Sequence, residues 1–222
     1  MKAAIFDMDG TLFDTESIFQ ANWQRIARER SIVLPESFPR EICGTAGDAM
    51  NRILERSYRC GDGEEIQRLC KRRVAHILAR EVPLKPGCRE ILEFFRRRGF
   101  PMAVGSSSPL PQIRSNLTVS GTASFFSAVA SGDEVTRGKP APDIFLLAAK
   151  RLHVPPEECF VFEDSPNGIR AACAARMVPI LIPDLLPVTD DIRALPQKIC
   201  GTLLEARDYL AEILPSPERP PR

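Results

Sequence analysis

Histidines are scarce in this sequence, and its cysteines show no paired spacing. The 222 residues include two histidines and seven cysteines, and no two cysteines are separated by two residues. The spacing argues against a zinc site and against a disulfide framework, and it favours free thiols in a reducing compartment. His76 and His153 are predicted to be structural, because both lie on helical patterns without metal-ligand spacing.

An excess of one charge and a long apolar run are also missing. Thirty basic residues stand against 29 acidic ones, which gives a net charge of +1. The balance gives no reason to expect nucleic acid or a membrane surface as a partner. Basic clusters at 71–73 and 96–98 lie on helical patterns, and we interpret them as solvated helix faces. The most apolar later stretch, 177–186, is interrupted by two prolines and an aspartate and is too short to span a bilayer.

The N-terminal stretch does not resemble a secretory signal, because an aspartate stands at position 7 and no long apolar segment follows a charged start. The content of 44% hydrophobic and 27% charged residues is ordinary for a globular protein. We therefore expect a cytoplasmic protein that is a monomer or a weak homodimer.

A short apolar run near the start ends in two aspartates. Residues 3–6 predict a buried strand, and Asp7 and Asp9 follow it, with Gly10 allowing a sharp turn. Strand side chains alternate, so both carboxylates are expected to face the same way. Such a pair repels unless one carboxyl is protonated or a cation lies between them. Oxygen ligands suit Mg²⁺, and a carboxylate can also act as a nucleophile. A plain polar turn is the alternative from this stretch alone.

The periodicity after this strand divides the chain into two regions. Residues 14–85 are predicted to form helices, with no convincing strand among them. From residue 86 onward helices and strands alternate, which predicts an α/β, doubly wound, mainly parallel Rossmann-like sheet. We expect a core domain at 1–13 and 86–214, an inserted helical-bundle cap domain at 14–85, and a disordered, proline-rich tail at 215–222.

Polar clusters follow three of the predicted strands, and a lysine lies in a loop between two of them. The clusters are Asp7 with Asp9, Ser106–Ser108 and Glu163–Ser165, and the lysine is Lys139. Each has an ordinary alternative when taken alone: a turn or a helix N-cap for the serines and acids, an exposed loop for the lysine. Together, at the carboxyl ends of alternating strands, they predict a metal-assisted phosphoryl-transfer site.

Four segments resemble the sequence motifs of the haloacid dehalogenase superfamily. They read DMDGTLFDTE from Asp7, GSSS from Gly105, GKPAPDIF from Gly138 and FEDSPNGIRAA from Phe162. The resemblance covers about 5–182. It is similar to the phosphatase and phosphomutase branch, in which a helical cap is inserted after the first strand.

The resemblance implies catalytic and phosphate-binding roles. Asp7 is implied to be the nucleophile, and Asp9 the general acid and later the general base. Lys139 is implied to stabilise the transferring oxygens. Ser106 and the backbone amide of Ser107 are implied to bind those oxygens.

A magnesium site is implied by the same motifs. Its ligands would be Asp7, the backbone carbonyl of Asp9 and Asp164, with Glu163 as an alternative ligand. The function implied is that of a Mg²⁺-dependent phosphatase acting through an aspartyl-phosphate. Its substrate would be a small phosphorylated metabolite, either a sugar phosphate or a phosphoglycolate-like acid.

Other activities within the superfamily are weighed against this one. β-Phosphoglucomutase is the alternative, but its pattern has a histidine where this chain has Phe19 and an arginine where it has Gly47. A dehalogenase has no use for Asp9, because a halide leaves without a proton. A phosphonate hydrolase needs a cap lysine that the first cap helix lacks. A non-catalytic module would show degenerate motifs, and none of the four is degenerate.

Overall fold

The computed structural model describes residues 1–45 and 47–215, and these form a parallel sheet flanked by helices. The strands are β1 (Ala3–Phe6), β2 (Met102–Ser106), β3 (Ala128–Ser131), β4 (Cys159–Glu163), β5 (Val178–Leu181) and β6 (Lys198–Ile199). Their order is β3-β2-β1-β4-β5-β6, and every neighbouring pair is parallel. The predicted α/β parallel sheet is thus confirmed. The predicted disordered tail lies, from residue 216, outside the described residues.

The described residues form ten α-helices, of which four lie between β1 and residue 85. These four are α1 (Thr15–Glu29), α2 (Phe38–Ile42), α3 (Gly47–Tyr58) and α4 (Gly63–Leu78). The others are α5 (Cys88–Arg97), α6 (Leu110–Val119), α7 (Asp143–Leu152), α8 (Pro166–Ala174), α9 (Asp190–Arg193) and α10 (Leu203–Ile213). Within the described ranges, none of them is long and apolar enough to cross a membrane.

Strand β1 is apolar throughout because both faces of the sheet are covered. Ala4 and Phe6 belong to a core cluster shared with α5, α6 and α10, whereas Ile5 belongs to a second cluster shared with α7 and α8. Phe6 stacks on Phe162 of the neighbouring β4, with ring centroids 4.5 Å apart. Helices on both faces make the sheet doubly wound, as predicted, and the direct pairing of β1 with β4 brings the ends of these two strands side by side.

The inserted helices α1 to α4 form a bundle with its own aromatic core. Phe38 contacts both Trp23 and Tyr58 edge to face, with ring centroids 6.4 and 6.1 Å away. The Tyr58 hydroxyl donates a hydrogen bond of 2.6 Å to the backbone carbonyl of Trp23. The sequence pattern does not predict helix α2, because a proline at position 39 normally interrupts a helix. In the structure Pro39 lies in the first turn, where its missing N–H needs no partner.

Two chain segments that connect the bundle to the sheet lie side by side. The Asp14 amide donates to the Pro83 carbonyl at 2.9 Å, and the Lys85 amide donates to the Leu12 carbonyl at 2.9 Å. We propose this crossing as the boundary between cap and core, at the positions given by the sequence.

Two further short elements are not predicted by the sequence pattern. Strand β6 has two residues and helix α9 has four, so neither is long enough to show a period. Both lie at the edge of the sheet remote from β3 and do not alter the site.

Candidate active site

A buried lysine lies between two carboxylates where β1 and β4 end. The two strands pair with Phe6 opposite Phe162, so the residues that follow, Asp7 and Glu163, reach the same edge. The Lys139 Nζ atom lies 2.5 Å from Asp7 Oδ1 and 2.6 Å from Glu163 Oε1. The side chains of all three are at most 9% exposed. Lys139, for which the sequence also allowed an exposed loop position, is therefore part of the site.

The charges of this trio depend on one another. Burial alone would lower the pKa of Lys139, but attraction to Asp7 and Glu163 outweighs it and raises the pKa, so the ammonium is retained. Burial raises the pKa of Asp7 to about 8; Lys139 opposes this rise, while Glu163 and Asp9 add to it. The trio thus contains more negative charge than its lysine offsets.

The second aspartate of the first motif is surrounded by hydroxyls instead of a cation. Thr15 Oγ1 donates to Asp9 Oδ1 at 2.8 Å, and Ser108 Oγ donates to Asp9 Oδ2 at 2.7 Å. Ser106 Oγ is 3.5 Å from Asp9 Oδ2, too far for a strong hydrogen bond. Burial raises the pKa of Asp9, although the hydroxyl contacts oppose the rise. The two aspartates therefore have chemically different surroundings.

Both carboxylate oxygens of Glu163 are occupied by hydrogen bonds. Lys139 contacts Oε1, while the backbone amide and the hydroxyl of Ser165 both donate to Oε2 at 2.9 Å. The side chain is 1% exposed. This geometry favours a role in holding Lys139 over the predicted alternative role as a metal ligand.

Asp164 faces the first motif from the end of β4. Thr11 Oγ1 donates to Asp164 Oδ1 at 3.2 Å. Gly10 has φ +81°, and a Cβ atom on it would lie 2.4 Å from Asp164 Oδ2, so only glycine fits. Burial raises the pKa of Asp164 well above its ordinary value, and the nearby Glu163 and Asp7 raise it further.

The donor set fits a magnesium ion that takes few protein ligands. No group of three His, Cys, Asp or Glu side chains in the described part of the chain surrounds one point as a metal cage would. Two carboxylates, Asp7 and Asp164, with the backbone carbonyl of Asp9 match the partial coordination that Mg²⁺ accepts. Burial is the main cause of the raised pKa values of Asp7 and Asp164, and the neighbouring acids add to it; a divalent cation would offset this crowded negative charge.

The serines after β2 occupy different positions around the site. Ser106 is 1% exposed and accepts a hydrogen bond of 3.1 Å from the Ser108 amide. Ser107 is exposed and lines the cleft. The sequence predicted Ser106 and Ser107 but missed Ser108 and Thr15, which make the shorter contacts with Asp9. The third serine of the GSSS motif was the available signal for Ser108.

A cleft of about 1000 Å³ opens from Asp9 between the core and the cap. Its core side includes Ser107 and Ser108, and neither histidine lines it. Its cap side includes Glu16, Phe19, Gln20, Gly47, Gln67 and Lys71. Lys71 was interpreted as part of a solvated helix face; its position on the cleft wall corrects that interpretation for one residue of the cluster.

Substitution of Gly168 by alanine is expected to disturb the Glu163–Lys139 contact. A Cβ atom there would lie 1.8 Å from the Glu163 carboxyl group, which must then move away from Lys139. We expect a loss of stability of about 1–3 kcal/mol by chemical denaturation, together with reduced activity. Gly61→Ala is the matched control, because nothing lies within 4 Å of its added Cβ atom. Equal stability of the two variants would contradict this account of Glu163.

The fold and the site define the class of protein. The acids lie in the crevice outside the carboxyl ends of parallel strands, which is where α/β sheets of this kind bind their ligands. The family model described as haloacid dehalogenase-like hydrolase matches residues 1–176. The chain belongs to the haloacid dehalogenase-like hydrolase family, as the sequence motifs predicted.

Relatives of known name are similar over most of their length. The phosphorylated carbohydrates phosphatase of Thermotoga maritima is 33% identical over 79% of this chain and 82% of that protein. Hexitol phosphatase B of Escherichia coli is 32% identical over 82% of this chain and 83% of that protein. The crystal structure of a HAD family hydrolase from Deinococcus radiodurans, with bound phosphate and sodium, is 27% identical, covers 96% of each chain and has a TM-score of 0.81. The predicted enzyme class, a phosphoric monoester hydrolase, is confirmed by these similarities.

Proposed function

We propose that the protein is a Mg²⁺-dependent phosphatase that hydrolyses a small, sugar-like phosphorylated metabolite through an aspartyl-phosphate on Asp7. The observation that carries the proposal is the contrast between the aspartates: an ammonium contacts Asp7 and hydroxyls contact Asp9. Carboxylates in different environments can divide the roles of nucleophile and proton carrier. The relatives named for phosphorylated carbohydrates and hexitols support a sugar-like substrate.

In the first step Asp7 attacks phosphorus, and the bond from phosphorus to the ester oxygen breaks. Asp7 must be ionised to attack, and the neighbouring Lys139 opposes the rise of its pKa that burial causes. Asp9 gives its proton to the departing oxygen. Burial raises the pKa of Asp9, which favours the protonated form that this step needs.

In the second step Asp9, now a carboxylate, takes a proton from a water molecule that attacks phosphorus. The bond between Asp7 and phosphorus breaks, and inorganic phosphate leaves. Ser106 and the backbone amide of Ser107 are the proposed donors to the phosphoryl oxygens. Glu163 keeps Lys139 beside Asp7, where the ammonium stabilises the charge that develops during transfer.

Asp7, Asp164 and the backbone carbonyl of Asp9 are the proposed magnesium ligands. When bound, Mg²⁺ supplies positive charge that shields the phosphate dianion from the attacking carboxylate. The proposal is supported by the excess of carboxylates over lysine around Asp7.

A mutase is disfavoured by the cleft itself. Phe19 and Gly47 both line it, at positions where the mutase pattern has a histidine and an arginine. Neither residue can exchange a proton or bind a phosphate with a charged side chain. Conversion of β-glucose 1-phosphate to glucose 6-phosphate faster than phosphate release would reverse this preference.

Removal of the metal tests the proposed function. Phosphate release from p-nitrophenyl phosphate and from a panel of sugar phosphates is measured with Mg²⁺ and with EDTA. We expect EDTA to lower the rate at least about 100-fold, because the metal stabilises the transition state by several kcal/mol. Added Mg²⁺ should restore the rate. Equal rates with EDTA, or no release from any ester, would contradict the proposal.

A further inference from the structure

Polar side chains on the cap side of the cleft lack good partners within the protein. Gln20 Nε2 is 3.4 Å from the Pro39 carbonyl, and Gln20 Oε1 is buried without a hydrogen-bond partner among the described residues. Gln67 Nε2 contacts the sulfur of Met50, which is a weak acceptor. A buried acceptor without a donor destabilises the protein. In a substrate cleft, such a group indicates a ligand that supplies the missing hydrogen.

A carboxylate lies one helical turn before Gln20. Glu16 is in the first turn of α1, and residues four apart share a face of a helix. Both side chains line the cleft that starts at Asp9. Because Thr15, the first residue of α1, contacts Asp9, a carboxylate and then an amide follow in succession along the helix that leads away from the aspartate.

The surroundings of Glu16 are negative. Burial raises the pKa of Glu16 to about 7, and the charges of Asp9, Asp184 and Asp14 add to the rise. The nearby cation, Lys85, is already paired, since its Nζ lies 2.8 Å from Asp184 Oδ1 and 3.9 Å from Asp14 Oδ1. A further carboxylate brought into this part of the cleft would meet the same repulsion.

Hydroxyl groups of a substrate are chemically complementary to the Glu16 and Gln20 side chains, whereas anionic groups are not. A hydroxyl can donate to the Glu16 carboxylate and to Gln20 Oε1, whereas an ionised carboxylate has no hydrogen to give. Lys71 also lines the cleft, but it is exposed, so water and salt screen its charge. Glu16 is half-buried, so the charge that it carries above its raised pKa of about 7 is screened less.

We propose that Glu16 and Gln20 determine specificity by selecting a neutral, polyhydroxylated phosphate monoester and rejecting one whose far end carries a carboxylate. The inference rests on the proposed phosphatase function and narrows its substrate to the sugar and polyol class. It sets aside the phosphoglycolate-like acids that the sequence left open.

Matched substrate pairs test the inference. Each pair has one chain length and differs only in a hydroxymethyl or a carboxylate at the far end: glycerol 3-phosphate with 3-phosphoglycerate, and sorbitol 6-phosphate with 6-phosphogluconate. At about pH 8, where Glu16 with its pKa of about 7 is mainly ionised, we expect the wild type to prefer the polyol in at least one pair, with kcat/KM at least about tenfold higher. The ratio of the two kcat/KM values is the readout, because it is independent of overall activity.

Three variants are compared on the preferred pair. Gln20→Leu should lower kcat/KM for the polyol phosphate about tenfold, because it removes the acceptor. Glu16→Gln should raise kcat/KM for the acid about tenfold, because it removes the repelling charge. Gln24→Leu is the control, because Gln24 is exposed on the same helix. The ratio of the two kcat/KM values in this variant should equal that of the wild type. Thermal unfolding shows whether each variant is folded.

The possible results distinguish a failure of the specificity inference from a failure of the proposed phosphatase function. A wild type that hydrolyses p-nitrophenyl phosphate but prefers no polyol over its acid partner overturns the inference and leaves the phosphatase proposal intact. An unchanged ratio in folded Glu16→Gln and Gln20→Leu also overturns it. Faster hydrolysis of the acids, lost in Lys71→Met, would assign selection to that lysine instead. Failure to hydrolyse any ester with Mg²⁺ refutes the phosphatase function itself.

Discussion

Asp7→Asn is expected to release no measurable phosphate from any ester in the presence of Mg²⁺. The amide oxygen is uncharged and cannot form the aspartyl-phosphate, so the rate should fall at least about 10³-fold. The variant should still fold, because Lys139 keeps its contact with Glu163 at 2.6 Å and the crowding of carboxylates is relieved. Phosphate release and thermal unfolding, measured on the same preparation, test both statements.

Asp62→Asn is the matched control for this substitution. Asp62 caps helix α4 by accepting a hydrogen bond from the Glu65 amide at 3.1 Å, and asparagine caps helices equally well. Its activity and unfolding midpoint should equal those of the wild type. Substantial phosphate release by folded Asp7→Asn, after mass analysis excludes deamidation back to aspartate, would assign the nucleophile to another group.

The sequence predicted the members of the site because they stand next to apolar runs. Residues 3–6 are buried on both faces, and Asp7 directly follows them. The same rule found Ser106 and Asp164 at other strand ends. The strand order could not be derived from the sequence: β1 lies between β2 and β4, and this order brings the three clusters together. The periodicity of apolar residues along the sequence gives no information on which strands are neighbours in the sheet.

The individual contacts were harder to predict than the site. Ser106 was expected at the phosphate, yet Ser108 makes the 2.7 Å contact with Asp9, because the turn after β2 decides which hydroxyl reaches it. Glu163 could have been a metal ligand or a partner of Lys139, and only the positions of Lys139 and Ser165 distinguish these. Lys71 lies in a basic cluster whose helix face borders both solvent and cleft, which a charge pattern does not reveal.

The unpaired side-chain oxygen of Gln20 illustrates the same limit for the cap. In the helical pattern of α1, Gln20 is an ordinary polar residue without any sign of a site. Its partnerless oxygen becomes visible only when the distances to Pro39 and to the rest of the cleft are known. Gln20 therefore lies outside all four sequence motifs, whereas the proposed phosphoryl-transfer residues stand at or just after the ends of strands, or in a motif loop.

Asp9→Asn is expected to separate the two chemical steps. The introduced amide can still meet Thr15 and Ser108, because a hydroxyl either donates or accepts a hydrogen bond, so the turn should keep its geometry. The amide can neither protonate a departing alkoxide nor take a proton from water. Steady-state hydrolysis of sugar phosphates should fall about 10²–10⁴-fold, the usual contribution of a general acid–base group.

A substrate with a good leaving group distinguishes the loss of the general acid from the loss of the general base. p-Nitrophenolate departs without a proton, so Asp9→Asn should still be phosphorylated on Asp7 by p-nitrophenyl phosphate. Hydrolysis of the aspartyl-phosphate needs the missing base, so the phosphoenzyme should accumulate. We expect a burst of one p-nitrophenolate per active site, and intact mass should show one added phosphoryl group. The double variant Asp7→Asn/Asp9→Asn should show neither signal. A full steady-state rate without a burst would mean that Asp9 does not activate the water, and the proton carrier would have to be sought among the other groups around the cleft.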